Sequence, residues 1–266
     1  MGENIKVVVC GACGRMGQEV VRGLMQADNL QLVGAVDVRC VGMDIGIVLG
    51  GEAVGIEVSQ DLRASIDKNN PQVMIDFTVP NVAMEHARLA LSAGVFPVIG
   101  TTGFTMADID ELHQLCERTG LAAVVAPNFA MGAILMMRFA REAVRYFPRV
   151  EIIEMHHDAK MDAPSGTALK TAEMLAEEVE QSPGSKGGFI DKLAGVRGGD
   201  YHGVRIHSVR LPGLMAHQEV IFGGLGQVLT LRHDSISRES FVPGVLLAVE
   251  RVTHAKGVIY GLENLL

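Results

Sequence analysis

Short apolar runs alternate with stretches in which apolar residues recur every three or four positions, and this alternation dominates the first half of the chain. Ile5 to Cys10 reads as a strand buried on both faces. Gly11 to Gly17 follows as a turn, and then Val20, Val21, Leu24 and Met25 sit at helical spacing. A second strand, Leu30 to Val36, ends in Asp37, which completes a βαβ unit with a glycine turn at its first crossover. Strands are predicted at Val73 to Phe77, Val95 to Ile99 and 121–126. A helix carrying Ala83, Ala87, Ala90 and Leu91 and another over 105–119 lie between them. Residues 41–60, glycine-rich and poorly periodic, read as surface loop. Strands alternating with helices predict an α/β fold with an N-terminal doubly wound, Rossmann-type parallel sheet.

The pattern then changes. Met131 to Phe147 reads as a long helix with Ile134, Leu135, Phe139 and Val144 on its apolar side, its methionines filling core. Val150 to Met155 is strand-like, a polar loop runs to Thr167, and Ala168, Leu169, Ala172, Leu175, Ala176 and Val179 mark a helix face. Gln181 to Tyr201, rich in Gly, Ser and Lys, is expected to be a mobile loop. Val204 to Arg210, Gln218 to Phe222 and Gln227 to His233 are extended runs with partial alternation. They predict a second, α+β domain with a mixed or antiparallel sheet. A last helix near 238–253 and a strand at Gly257 to Tyr260 are expected to return to the first domain. The expected division is 1–129 with 239–266, and 130–238, joined by a hinge that closes over substrate.

With 266 residues, 48% of them hydrophobic, the chain can bury a large core. A formal net charge of −8 argues against a nucleic-acid-binding surface. The N-terminal apolar run is too short for a secretory signal, and Pro127-Asn128 with Arg138 interrupts the longest apolar region, so no membrane span is expected and the cytoplasm is the default location. Cys10 and Cys13 have CxxC spacing, but no second pair completes a zinc site, and no metal is expected.

Candidate chemistry collects at strand ends. Gly11-Ala12-Cys13-Gly14-Arg15-Met16-Gly17 follows a strand and opens a helix, and Asp37 lies where an acidic residue meets an adenine-ribose hydroxyl. Asp37 disfavours a 2′-phosphate, and Arg39 would offset it. Thr78, Gly100-Thr101-Thr102-Gly103 and Ala126-Pro127-Asn128-Phe129 fall at further strand ends, where ligands of such sheets lie. In Glu154 to Thr167, the helix start at Pro164, Ser165, Gly166 and Thr167 offers N–H groups and hydroxyls to an anion. Lys160 adds positive charge, and His156 and His157 can exchange protons near neutral pH. The same stretch also reads as a plain polar loop and helix cap.

Four motifs in order, Gly11 to Gly17, Gly100 to Phe104, Ala126 to Phe129 and Glu154 to Thr167, resemble dihydrodipicolinate reductase (4-hydroxy-tetrahydrodipicolinate reductase) of bacterial diaminopimelate and lysine synthesis, end to end. His-His-x-x-Lys-x-Asp-Ala-Pro-Ser-Gly-Thr-Ala is that family's signature. The resemblance implies NADH- or NADPH-dependent reduction of the cyclic dicarboxylate to tetrahydrodipicolinate, with hydride passing to C4. It implies that the glycine turn with Arg15, then Thr102, Gly103 and Ala126–Phe129, hold the cofactor. His156 is the implied acid and Lys160 its partner, while His157, Lys160 and Ser165-Gly166-Thr167 bind substrate carboxylates. It further implies a homotetramer built through the second domain. Cys13 stands where many members have Gly or Ala, and Asp37-Val38-Arg39 departs from members with a basic residue directly after the acidic one. The rival readings are a dehydrogenase of an amino acid or sugar, which would not need Lys160 beside Ser165-Gly166-Thr167, and a non-catalytic nicotinamide sensor, which could drop the proton donor.

Overall fold

The structure, a computed structural model, describes residues 4–179, 190 and 192–266. The chain divides into two compact units, Met1–Phe129 with Arg238–Leu266, and Ala130–Ser237. The first unit runs β1 (Ile5–Cys10), α1 (Arg15–Gln26), β2 (Leu30–Val36), α2 (Ile45–Val48), β3 (Val58–Ser59) and α3 (Leu62–Asn69). It continues with β4 (Val73–Asp76), α4 (Pro80–Ser92), β5 (Phe96–Ile99), α5 (Met106–Thr119) and β6 (Ala122–Val125). The second unit holds α6 (Met131–Ala143), β7 (Arg149–His156), α7 (Gly166–Val179), β8 (Gly199–Tyr201), β9 (Val204–Arg210), β10 (Ala216–Gly224) and β11 (Gln227–Ser235). A 3-10 turn at Arg238–Phe241, α8 (Val242–Val252) and β12 (Gly257–Tyr260) rejoin the first unit.

The first sheet has the order β12-β6-β5-β4-β1-β2-β3, and all its pairings are parallel. This is the doubly wound arrangement expected, with β12 added at the far edge. Its topological switch point lies between β1 and β4, so the crevice at their carboxyl ends is the ligand position. Val7, Val8, Val9 and Cys10 of β1 and Val73, Met74 and Ile75 of β4 are fully buried, which explains why these strands are uniformly apolar rather than alternating.

The expected loop over 41–60 contains α2 and β3, and α3 follows it without having been foreseen. Asp61 caps α3 by accepting the Ala64 N–H, and Asn70 ends it in the left-handed conformation at φ 47°. No helix among the described residues is long and apolar enough to cross a membrane.

The second sheet, β11-β10-β7-β9-β8, is mixed: only β7 and β9 pair in parallel. Its alternation sends Val150 and Ile152 of β7, Val204 and Ile206 of β9, and Val220 and Phe222 of β10 into one core with α6 and α7. Buried Ala168, Ala172, Leu175, Ala176 and Val179 line the α7 face, whereas Leu169 is 37% exposed and off it. Leu135 and Phe139 of α6 are likewise exposed, and Ala133, Ile134, Met136, Met137 and Ala140 form its buried side. Each fully buried side chain such as Ile152, Leu175 or Phe222 contributes about 1.5–3 kcal/mol. That core, more than the polar loop, therefore fixes where the α7 N-terminus sits. Of the loop expected over 181–201, residues 181–189 and 191 lie outside the described residues, and Gly199–Tyr201 forms β8.

Candidate active site

In the first unit the glycine turn is dictated by close approach. Gly11 has φ +76°, and a Cβ there would lie 2.7 Å from the Phe77 carbonyl oxygen on the neighbouring strand end. A Cβ on Gly17 would lie 2.0 Å from the Gly11 oxygen, so the first turn of α1 can pack on β1 only with glycine. No side chain caps the N-terminus of α1 at Gly14, which leaves its first N–H groups to an anion. Ala12 and Cys13 are buried behind this turn, Met16 is half-buried, and Arg15, the first helical residue, is exposed.

The turn and the end of β2 are joined directly. Asp37 Oδ2 accepts the Cys13 N–H at 2.9 Å, and Oδ1 accepts the Arg39 N–H at 2.9 Å. The Arg39 guanidinium adds bonds of 3.2 Å from Nε and 3.1 Å from Nη2. Burial works against the Asp37 charge, but the hydrogen bonds from Arg39 and Cys13 outweigh it and hold the carboxyl below its usual range. A cavity of about 310 Å³ opens there, lined in part by Gly11, Asp37, Arg39, Phe77, Thr78 and His86. Its size and walls suit a nucleoside.

Asp76, fully buried at the end of β4, ties the neighbouring loops together. Oδ1 accepts the Thr78 N–H at 2.9 Å, the Thr78 hydroxyl at 2.6 Å and the Thr101 hydroxyl at 3.0 Å, and Oδ2 lies 2.7 Å from His86 Nδ1. Cys10, Asp76 and His86 bring potential ligand atoms within 4.8 Å of one another. Burial pushes the Cys10 thiol well above its ordinary range, and the Asp76 oxygens are already used, so the cluster works as a hydrogen-bond hub. Gly100 follows β5 where a Cβ would strike the Phe77 ring at 2.1 Å, and Gly103 has φ +94°. Thr102 is exposed beside it. Ala126 continues β6 through an N–H bond to Ile99, Pro127 is exposed, Asn128 is half-buried, and Phe129 is buried with its ring 6.0 Å from that of Phe77. Phe77 is thus a shared wall of the cavity and these loops. Sequence reading recorded it only as a strand residue.

The second unit places its polar groups at the open end of its core. Along β7 the alternation carries Ile152, Glu154 and His156 to the same face, so a carboxylate and an imidazole succeed the apolar residues. Glu154 has no solvent exposure, and its Oε2 lies 2.5 Å from His156 Nδ1. Arg210, paired with His156 across β9, forks onto both Glu154 oxygens at 2.9 and 2.7 Å. The Ser165 N–H adds a fourth bond at 3.3 Å. Burial opposes the Glu154 charge, yet the bonds from His156, Arg210 and Ser208 bring its pKa down to about 2.

Helix α7 begins at Gly166 rather than at Pro164, because Ser165 is its cap and accepts the Ala168 N–H at 3.2 Å. Gly166 is exposed, Thr167 half-buried, and nothing lies within 4 Å of where a Gly166 Cβ would stand. The fold does not require glycine there; a ligand against the helix start would. His157 lies just past the strand, half-buried, and its carbonyl accepts the Lys160 N–H. Lys160 Nζ donates to Asp162 at 2.7 Å, and the Asp162 carbonyl accepts from Arg210 Nη2 at 2.7 Å. His156 and Lys160 are therefore connected through Glu154, Arg210 and Asp162 rather than directly. Sequence reasoning missed Glu154 and Arg210 as site residues. A charged residue at a core-facing position of the strand, two before a histidine, is the available signal.

A glycine turn of this shape, leading from a parallel strand to a helix and bonded to an acidic strand end, serves a dinucleotide. The class this fold and turn define is a dinucleotide-binding α/β protein. Family profiles described as "Dihydrodipicolinate reductase, N-terminus" and "Dihydrodipicolinate reductase, C-terminus" match residues 5–129 and 132–266. A Moorella thermoacetica protein named 4-hydroxy-tetrahydrodipicolinate reductase is 59% identical over 263 residues, covering 99% of this chain and 98% of its own. A solved dipicolinate-bound dihydrodipicolinate reductase from Paenisporosarcina superposes with TM-score 0.87 at 47% identity, covering 99% of this chain and all of that one. GenD2 of gentamicin A biosynthesis, solved with NAD, shares the fold at TM-score 0.64 and 14% identity, covering 100% of this chain and 91% of its own. The chain belongs to the dihydrodipicolinate reductase family.

Proposed function

We propose that this chain reduces 4-hydroxy-tetrahydrodipicolinate to tetrahydrodipicolinate with NADH or NADPH. The observation that carries the reading is the orienting of His156 by a buried carboxylate at the same loop that offers Lys160 and the α7 N-terminus. That donor set matches a small dicarboxylate that must gain a proton.

Gly11, Ala12, Cys13, Gly14, Arg15, Met16 and Gly17 would hold the pyrophosphate, with Asp37 and Arg39 at the adenosine ribose. Gly100, Thr101, Thr102 and Gly103, with Ala126, Pro127, Asn128 and Phe129, would hold the nicotinamide end. When bound, the reduced cofactor supplies a hydride, which the ring accepts at C4. In the second unit, Lys160, His157 and the N–H groups and hydroxyls of Ser165, Gly166 and Thr167 would bind the two carboxylates. The Lys160–Asp162 pair is no obstacle: Asp162 is 61% exposed, and such pairs are worth about 0–1 kcal/mol. His156, held through Nδ1, would deliver a proton from Nε2 to C3, and the hydroxylated substrate also loses water. The first unit with Arg238–Leu266 would be the dinucleotide-binding domain, and the second the substrate-binding and oligomerisation domain of a cytoplasmic homotetramer. The sheet face away from the helices, with Ile153, Val209 and Ile221 partly exposed, supports that assembly, which analytical ultracentrifugation would test.

The test is synthase-dependent oxidation of NADH and NADPH, with substrate generated in place from pyruvate and aspartate semialdehyde. His156→Gln should lower kcat by about 10²–10⁴-fold with cofactor Kd unchanged. Cofactor binding without synthase-dependent turnover in the wild type would return the sensor reading.

A further inference from the structure

We propose that Glu154, held by Arg210, is the positioning residue for His156, fixing the hydrogen on Nδ1 and leaving Nε2 as the nitrogen that exchanges the proton. This rests on the reading of His156 as the proton donor.

Two residues apart on β7, Glu154 and His156 point to one face, and Glu154 Oε2 is 2.5 Å from Nδ1. A carboxylate can only accept, so while Glu154 is ionised Nδ1 must carry the hydrogen. Arg210 keeps Glu154 ionised: Nη1 reaches Oε2 at 2.9 Å and Nη2 reaches Oε1 at 2.7 Å, the fork-on-fork arrangement that suits a carboxylate. The Ser165 N–H occupies a further lone pair of Oε1. A protonated Glu154 would face two guanidinium nitrogens and a backbone N–H with fewer acceptors, so the neutral form is disfavoured from several sides.

Among the described residues the surroundings add no competing charge. On β10 the paired neighbours are Ala216 and Gln218, the latter bonded to Thr171 of α7, while Ser208 of β9 and the cap residue Ser165 bond Glu154 itself. Arg210 on β9 is the cation in contact with the pair, and Lys160 is reached only through Asp162. Glu154 therefore has one cation holding its charge and one imidazole to orient. Through Asp162, the same Arg210 sets the loop from which Lys160 projects.

A merely structural pair would anchor β7 to β9 and nothing more. Its loss would lower Tm while leaving kcat in place. Positioning predicts a different pattern for Glu154→Gln. The amide keeps the shape but not the charge, so kcat should fall by about 10²-fold or more, with substrate KM and cofactor Kd within about twofold. An unchanged kcat in a folded Glu154→Gln would overturn the proposal. Independently of any variant's folding, ¹⁵N-histidine NMR of the wild-type protein should show His156 as the Nδ1–H tautomer once neutral, and the opposite tautomer would overturn it. That signal does not depend on the substrate being the one proposed. Absent turnover in the synthase-coupled assay would therefore sink the functional reading without touching the tautomer result.

Discussion

Replacing Arg39 with alanine separates the two nicotinamide cofactors. The guanidinium lies at the rim of the cavity that Asp37 also lines and forks onto that carboxylate through Nε and Nη2. Asp37 itself is nearly inaccessible, with 4% of its side chain exposed against 61% for Arg39. The buried acid thus belongs to the floor of the site, where it suits a ribose hydroxyl, and the exposed cation can reach a phosphate on that ribose. Hydrogen bonds to charged groups contribute about 1.5–3 kcal/mol when shielded, and exposed ion pairs about 0.2–1 kcal/mol. At Arg39's exposure the range for exposed pairs applies, up to about 1 kcal/mol, or a rise in KM for NADPH of up to about fivefold. For NADH, which presents hydroxyls there, the change should stay within about twofold, since Cys13 N–H still holds Asp37. Initial rates with each cofactor in the coupled assay give both KM values. An equal rise for the two, or a rise for NADH alone, would show that Arg39 does not read the 2′-phosphate.

Three further expectations concern glycine and acid. Gly17→Ala forces a Cβ to 2.0 Å from the Gly11 oxygen, so it should lower stability by about 1–3 kcal/mol and weaken cofactor binding, both measurable by thermal unfolding with and without NADH. Gly166→Ala meets open space, so Tm should hold while substrate KM rises, and an unchanged KM would remove Gly166 from the carboxylate site. The depressed Glu154 pKa, about 2 against an ordinary 4.5, means that this group stabilises the fold fully above about pH 4.5 and loses that contribution as pH falls toward 2. Wild type should lose on the order of 3 kcal/mol more than Glu154→Gln across that window in urea titrations, and parallel pH curves would refute the assignment.

The fold was legible where burial is two-sided. Ile5–Cys10, Val73–Asp76 and Phe96–Ile99 are short apolar runs because both faces of a central parallel strand meet helices, and no other element produces that run so cleanly. Helix faces were less legible. Leu135, Phe139 and Leu169 fit a helical period yet are exposed, because small residues such as Ala140, Ala168 and Ala172 occupy the contact with the sheet. Close packing against strands favours alanine over leucine where backbones approach, and hydrophobicity alone does not register that. The short α3 was missed because only Leu62, Ser65 and Ile66 of its residues are buried, too few for a periodic signal, although the Asp61 cap was present.

The site divides along the same line between local and distant information. His156, Lys160 and Ser165-Gly166-Thr167 stand in one string, and so does the glycine turn, so residue types and spacing sufficed to pick them out. What orients the histidine proposed as the acid is not local. Arg210 is 56 positions from Glu154 and reaches it because β9 pairs with β7 in parallel, in a register that sets His156 opposite Arg210. A slip of one residue would turn Arg210 to the other sheet face and leave a buried carboxylate with no cation, at a cost of about 3–5 kcal/mol. The apolar pairs behind it, Ile152 with Ile206, hold that register. The hydrophobic core of the second unit thus determines which nitrogen of His156 carries the hydrogen, a link from packing to chemistry that no motif in the string could contain.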